Sequence, residues 1–321
     1  MLQPLIFLIV GIFGLWLGAT LIVEASKKLA ARLGISQTLI GLSIISIGTS
    51  LPEIMTSVLS GIESAHGADF SGVAVGTNIG SSLTQITLIF GLTTLFGTVH
   101  ATKKILKRDG FMALFAIVLM FLVSLDNLIS QVEGFLLIVI YISYLFYISR
   151  DERAISKVGK EFYNIGARGA HIKTFVFMLI GFFVLLYAAN LVIDNAVALS
   201  KAWGIAQSFI GVMIIGVGAC LPELSTAVMG ILKKAEGISI GTLIGSNITN
   251  PMFALGSGAI FSGFAHSKNL LFFDTPFWFF ATVLTLLLLS RNMKLDKSQG
   301  IVLIGIYILF AFLKIKFFLY A

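Results

Sequence analysis

Two glutamates, Glu53 and Glu223, stand inside long apolar runs, each directly after a proline. A charge at the centre of a membrane span costs about 2.5–3.5 kcal/mol on insertion scales, so an acid retained there points to function. Proline removes a backbone donor and frees the carbonyl one turn before it. Backbone oxygens therefore become available over 46–50, before Pro52, and over 216–220, before Pro222. Ser46, Thr49, Ser50 and Glu53 follow i, i+3, i+4, i+7 spacing, which sets three hydroxyls and a carboxylate on one helix face. Asn78, Ser81, Ser82 and Gln85 make a second polar stripe, and Ser246, Asn247, Thr249 and Asn250 a third. Two carboxylates, amide oxygens, hydroxyls and freed carbonyls form an all-oxygen site. Such a site suits Ca2+, which takes six to eight oxygens at about 2.3–2.6 Å, and it suits Na+. Soft metals fit poorly, because no histidine lies near and Cys220 is the single thiol. The small residues in these stripes are explained equally well by close helix packing. Paired acids in apolar surroundings are not.

The elements that must hold these residues are membrane helices. Of 321 residues 57% are hydrophobic and 12% charged, against about a quarter charged in a soluble domain. Ten apolar runs fall at 4–23, 37–61, 72–97, 110–125, 130–149, 174–193, 207–232, 238–262, 274–290 and 299–319. Each is near the roughly 20 residues a helix needs to span the hydrocarbon, and none alternates as a barrel strand would. The expectation is an all-α integral membrane protein of ten transmembrane helices. No stretch is long enough for a separate soluble domain, and no disulfide framework or nucleic-acid partner is expected; the net charge of +7 reports loops. The loops after spans 1, 3, 5, 7 and 9 hold 18 of the 22 Lys and Arg, leaving Lys201, Lys268, Lys314 and Lys316 for the other side. The positive side is cytoplasmic, which puts both termini outside the cell membrane.

The chain also repeats itself. At an offset of 170, residues 19–56 match 189–226 at 15 of 38 positions, with Gly34, Gln37, Gly41, Gly48, Leu51, Pro52 and Glu53 recurring as Gly204, Gln207, Gly211, Gly218, Leu221, Pro222 and Glu223. At an offset of 165, Gly76-Thr77-Asn78-Ile79-Gly80-Ser81 recurs as Gly241-Thr242-Leu243-Ile244-Gly245-Ser246. A repeat of five spans is odd, so the second copy enters the membrane from the opposite side, the inverted topology of secondary transporters. The halves are 1–149 and 174–321, joined by a basic cytoplasmic linker at 150–173, and inversion lets spans 2, 3, 7 and 8 converge near the midplane. No catalytic motif accompanies these residues, so an enzyme is not expected.

The stretches Gly48-Thr49-Ser50-Leu51-Pro52-Glu53 with 76–85, and 218–223 with 241–250, resemble the paired α-repeat motifs of the sodium/calcium exchangers in the calcium/cation antiporter superfamily. In this chain those motifs span 41–90 and 211–256. The resemblance implies a ten-helix inverted-repeat fold and alternating access. It implies Ca2+ on Glu53 and Glu223, Na+ sites served by Thr49, Ser50, Ser81 and Ser246, and backbone oxygens from Ser46, Thr49, Gly216 and Ala219. Three departures stand out. The second motif reads Gly218-Ala219-Cys220 where Gly-Thr-Ser is usual, Gln85 replaces an Asn, and Asn250 stands where some members carry Asp. Loss of both hydroxyls weakens one of two symmetry-related Na+ sites. Exchange of Ca2+ for Na+ is the leading reading, and exchange of Ca2+, or another divalent cation, for H+ carried on the two glutamates is the alternative. The ions are transported substrates; no cofactor or protein partner is expected beyond the bilayer.

Overall fold

The computed structural model describes residues 2–67, 70–159, 168–202 and 216–318. In chain order the helices are α1 (Leu2–Leu33), α2 (Gln37–Thr49), α3 (Leu51–Ala65), α4 (71–96), α5 (103–123), α6 (Gln131–Gly159), α7 (Arg168–Ala202), α8 (Leu221–Leu232, preceded by the single turn Gly216–Gly218), α9 (236–262), α10 (268–292) and α11 (Lys297–Phe318). Most outrun their apolar stretches. The charged ends are rich in good helix formers, such as Lys27, Lys28, Leu29, Ala30, Ala31 and Arg32 on α1, so the helix continues where the hydrophobicity stops. Among the described residues α1, α4, α6, α7, α10 and α11 are long and apolar enough to cross a membrane, and α2–α3, bent by 49°, makes a seventh span if taken as one. Pro52 at the start of α3 accounts for the bend. The repeat positions Gly204, Gln207 and Gly211 lie outside the described residues.

α9 is buried on every side from Ile238 to Thr249, and it can carry polar residues because protein, not lipid, surrounds it. α4 is 72% buried over its apolar window, against 22% for α11, which faces outward. α2 crosses α9 at near-backbone contact. A Cβ on Gly241 would stand 2.6 Å from the Thr38 carbonyl oxygen, and one on Gly245 2.8 Å from the Leu42 Cα. α1 and α7 pack antiparallel, with Gly11 against Val192, Gly14 against Ala188, Gly18 against Leu185 and Gly181 against Ile22.

Several local features recur 165 or 166 residues apart. Helices α4 and α9 each widen into a π-turn, at Gln85–Ile89 and Asn250–Ala254, and α5 and α10 do so at Ile105–Gly110 and Leu270–Asp274. Capping boxes open α6 and α11: Ser130 N–H donates to Glu133 Oε2 at 2.8 Å, and Asp296 N–H to Gln299 Oε1 at 3.0 Å. The helices-only expectation misses four two-residue strands. β1 (Val99–His100) pairs antiparallel with β4 (Lys294–Leu295), and β2 (Leu128–Ile129) with β3 (Phe264–Ala265). They form in the turns between helices, where short extended segments satisfy one another's backbone groups.

Buried acids number more than the apolar runs suggest. Asp109 is fully buried and Asp274 is 2% exposed, at equivalent places in the two π-turns of α5 and α10. Arg108 Nε reaches Asp109 at 2.7 Å, Tyr144 donates to it at 2.8 Å, and Lys314 pairs with Asp274. Glu53 and Glu223 are therefore not the only deep carboxylates, but these two aspartates have cations of their own.

Candidate cation site

The two helix breaks are built alike. Ser50 precedes α3 with φ −80° and ψ 9°, and Cys220 precedes α8 with φ −90° and ψ 7°; in each case Leu-Pro-Glu forms the first turn of the new helix. Proline fits there because the first turn has no intrahelical donor to lose. The glutamate on that turn meets the positive end of the helix dipole. Pro52 and Pro222 cannot donate to the carbonyls of Gly48 and Gly218. The Ser46 carbonyl, by contrast, accepts from Ser50 N–H at 3.0 Å within its own helix.

Glu53 and Glu223 are both wholly buried, and none of their four carboxylate oxygens has a hydrogen-bond partner among the described residues. The two lie within electrostatic reach of one another. Ser81 approaches Glu53, while Thr49 and Ser50 approach Glu223, none closely enough to complete a bond. The hydroxyls of the first break thus lie toward the carboxylate of the second without bonding it. Their repeat equivalents, Ala219 and Cys220, bring no hydroxyl to Glu53.

Around this pair lies a shell of buried polar atoms. Asn250 Nδ2 donates to Ser81 Oγ at 3.1 Å and reaches Gln85 Oε1 at 3.5 Å, which leaves Asn250 Oδ1 and Gln85 Nε2 without a partner among the described residues. Ser50 Oγ and Ser246 Oγ are likewise buried without partners among the described residues. Cys220 is buried and its thiol donates to the Ser81 carbonyl at 3.7 Å. Ser46 spends its hydroxyl on Leu42 O, at 2.8 Å, and touches Thr249 Oγ1 at 3.3 Å. Thr49 bonds Ile45 O at 3.0 Å. Ala219 borders a cleft of about 370 Å3 together with Pro52, Pro222 and, from α7, Leu186 and Asn190. Gly216 opens the short turn before the second break.

Some polar residues have other work. Asn247 accepts from Trp278 Nε1 at 3.0 Å, so that wholly buried Trp278 packs inside the bundle. Asn78 donates to Ser57 Oγ at 2.7 Å but keeps a buried Oδ1 with no partner among the described residues. Two nearby polar side chains escape sequence reasoning. Tyr141 donates to or accepts from Thr249 Oγ1 at 2.9 Å, a contact from the apolar middle of α6, where no acid marks the helix. Thr226 has a buried hydroxyl with no partner among the described residues, and its i+3 spacing from Glu223 is the signal that could find it. Among the described residues no three His, Cys, Asp or Glu side chains are placed to hold a metal ion together. What stands here is two carboxylates amid neutral oxygens, a donor set for a hard cation.

The family described as sodium/calcium exchanger protein matches residues 3–150 and 173–316. The chain belongs to this family. Sodium/calcium exchanger MaX1 of Methanosarcina acetivorans is 27% identical across 98% of this chain and 98% of its own length. Inner membrane protein YrbG of Escherichia coli is 30% identical across 81% of this chain and 80% of its own. The fold matches that of the sodium-calcium exchanger NCX_Mj soaked with 10 mM Na+ and zero Ca2+, with a TM-score of 0.81 at 24% identity, covering 96% of this chain and 97% of that one. The protein is thus a multi-pass member of a family of membrane exchangers.

Proposed function

We propose that this protein is a secondary-active antiporter that exchanges Ca2+ for Na+ by alternating access, with both ions competing for a site centred on Glu53 and Glu223. The observation that carries the reading is the burial of all four carboxylate oxygens with no hydrogen-bond partner among the described residues. Buried charges in proteins are paired or hold metals, and a doubly charged cation satisfies two carboxylates at once. Thr49, Ser50, Ser81, Ser246, Gln85 and Asn250 supply neutral oxygens, and carbonyls of the two breaks, from Ser46 and Thr49 and from Gly216, Ala219 and Cys220, complete the shell. The named relative MaX1 carries the same ion pair in its name. The repeating π-turns, capping boxes and crossed ribbons support two inverted five-span halves, 1–149 and 174–321, and the Lys and Arg excess after spans 1, 3, 5, 7 and 9 supports a cell-membrane placement with both termini outside.

A second reading, H+ in place of Na+, is favoured by Ala219 and Cys220, which leave Glu53 without the hydroxyls that approach Glu223. The experiment is 45Ca2+ uptake into proteoliposomes loaded with Na+, or with K+ under an imposed pH gradient. Uptake driven by internal Na+ and abolished by Glu53→Gln and by Glu223→Gln upholds the proposal. Uptake that follows only the pH gradient assigns H+ as the counter-ion, and no uptake under either gradient overturns both readings.

A further inference from the structure

A cleft of about 400 Å3 opens between the last turns of α1 and the first turns of α7, remote in sequence from the two helix breaks. Lys28, Arg32 and Lys173 line it with Thr174, and Leu21, Ala25 and Phe177 form its apolar wall. Arg32 Nη1 donates to Thr174 Oγ1, which ties the two helices together at this level. Glu24 is the one acid among the described lining residues. Its carboxylate is drawn toward Lys27 at 4.0 Å and Lys233 at 3.8 Å. Three cations from two helices therefore line a cavity whose one acid among the described residues is already shared with other lysines.

The surroundings select the ligand. Phe175, Val176, Leu179 and Ile180 on α7 are each about half exposed, and they run away from the cleft along the surface that meets acyl chains in a membrane protein. A basic rim above an apolar, outward-facing helix matches an anionic headgroup with its tails attached. A soluble phosphate would meet the same cations but leave the apolar wall uncovered. We propose that this cleft binds the phosphate headgroup of an anionic glycerophospholipid, with the acyl chains lying along α7. The site is independent of which ion the protein exchanges.

The test is lipid retention measured by native mass spectrometry on protein equilibrated with mixed phosphatidylglycerol and phosphatidylcholine micelles. The wild type should retain phosphatidylglycerol in preference to phosphatidylcholine. Near a membrane surface each Lys contributes about 1 kcal/mol to anionic lipid binding, so Lys28→Gln with Lys173→Gln should weaken retention about 30-fold. Lys294→Gln with Lys297→Gln removes the same charge elsewhere and should leave retention unchanged; a thermal melt of each variant separates lost binding from lost folding. Equal retention of both lipids, an equal effect of the two double variants, or full displacement by millimolar inorganic phosphate would overturn the proposal.

Discussion

An ionised carboxylate taken out of water costs several kcal/mol unless a partner compensates it, and Glu53 and Glu223 hold four such oxygens without one among the described residues. Asp109 and Asp274 are buried to the same degree, yet each sits against a cation within its own half. The contrast separates the proposed cation site from a structural ion pair better than burial alone. It also explains what sequence could and could not reveal. Glu53 and Glu223 interrupt apolar runs and are legible at once, whereas Asp109 and Asp274 border theirs beside Arg108 and Thr275 and read as span ends. The missing hydroxyls of Ala219 and Cys220 give a direct experiment. Restoring them with Ala219→Thr and Cys220→Ser adds oxygen ligands worth about 1 kcal/mol each, so apparent Na+ affinity in the uptake assay should rise about fivefold per ligand. An unchanged Na+ dependence would mean that these side chains do not face the transported ion.

At the scale of helices, the site depends on α2 and α9 touching almost backbone to backbone. Gly245→Leu should force them apart, since even a Cβ would lie 2.8 Å from the Leu42 Cα. Overpacking of this kind costs about 1–3 kcal/mol, read as a lowered melting temperature with loss of uptake. Gly305→Ala, on α11 with nothing within 4 Å of its Cβ, is the control and should melt like the wild type. The N-terminus of α11 titrates. Asp296 accepts from Ser298 Oγ at 2.6 Å and from the backbone N–H groups of Gln299 and Ser298, which holds its carboxyl below the ordinary range. A lowered folded-state pKa stabilises the protein fully above the ordinary Asp value of about 3.9 and loses that stabilisation as pH falls through the lowered value. Asp296→Asn should therefore melt earlier than the wild type at neutral pH, and the two curves should converge in acid. The capping boxes are visible in sequence as Ser-x-x-Glu and Asp-x-x-Gln. The π-turns are not, because one extra residue in a turn leaves no mark on an apolar run.

Across the whole molecule the halves are interlaced more than joined. Each ribbon pairs a strand of one half with a strand of the other, β1 with β4 and β2 with β3. The sequence periodicity yields the repeat, but not that its copies would be stitched at both places, because pairing between short distant strands leaves no local signal. The apolar runs locate every described helix, α9 included; what they leave unread is that α9 faces protein on all sides from Ile238 to Thr249. Expressed alone, residues 1–150 should be degraded or aggregate, and co-expression with 151–321 should recover a monodisperse protein on size exclusion; a stable, monomeric first half would show that the halves fold separately. The burial of α4 also has a consequence in time. Its polar stripe of Asn78, Ser81, Ser82 and Gln85 is covered partly by Asn250 and the rest of α9, which the ribosome reaches some 165 residues after it finishes Gln85. At about 5–20 residues per second, the newborn first half waits roughly 10–30 s with that stripe unsheltered, and the insertion machinery must hold it until its complement is made.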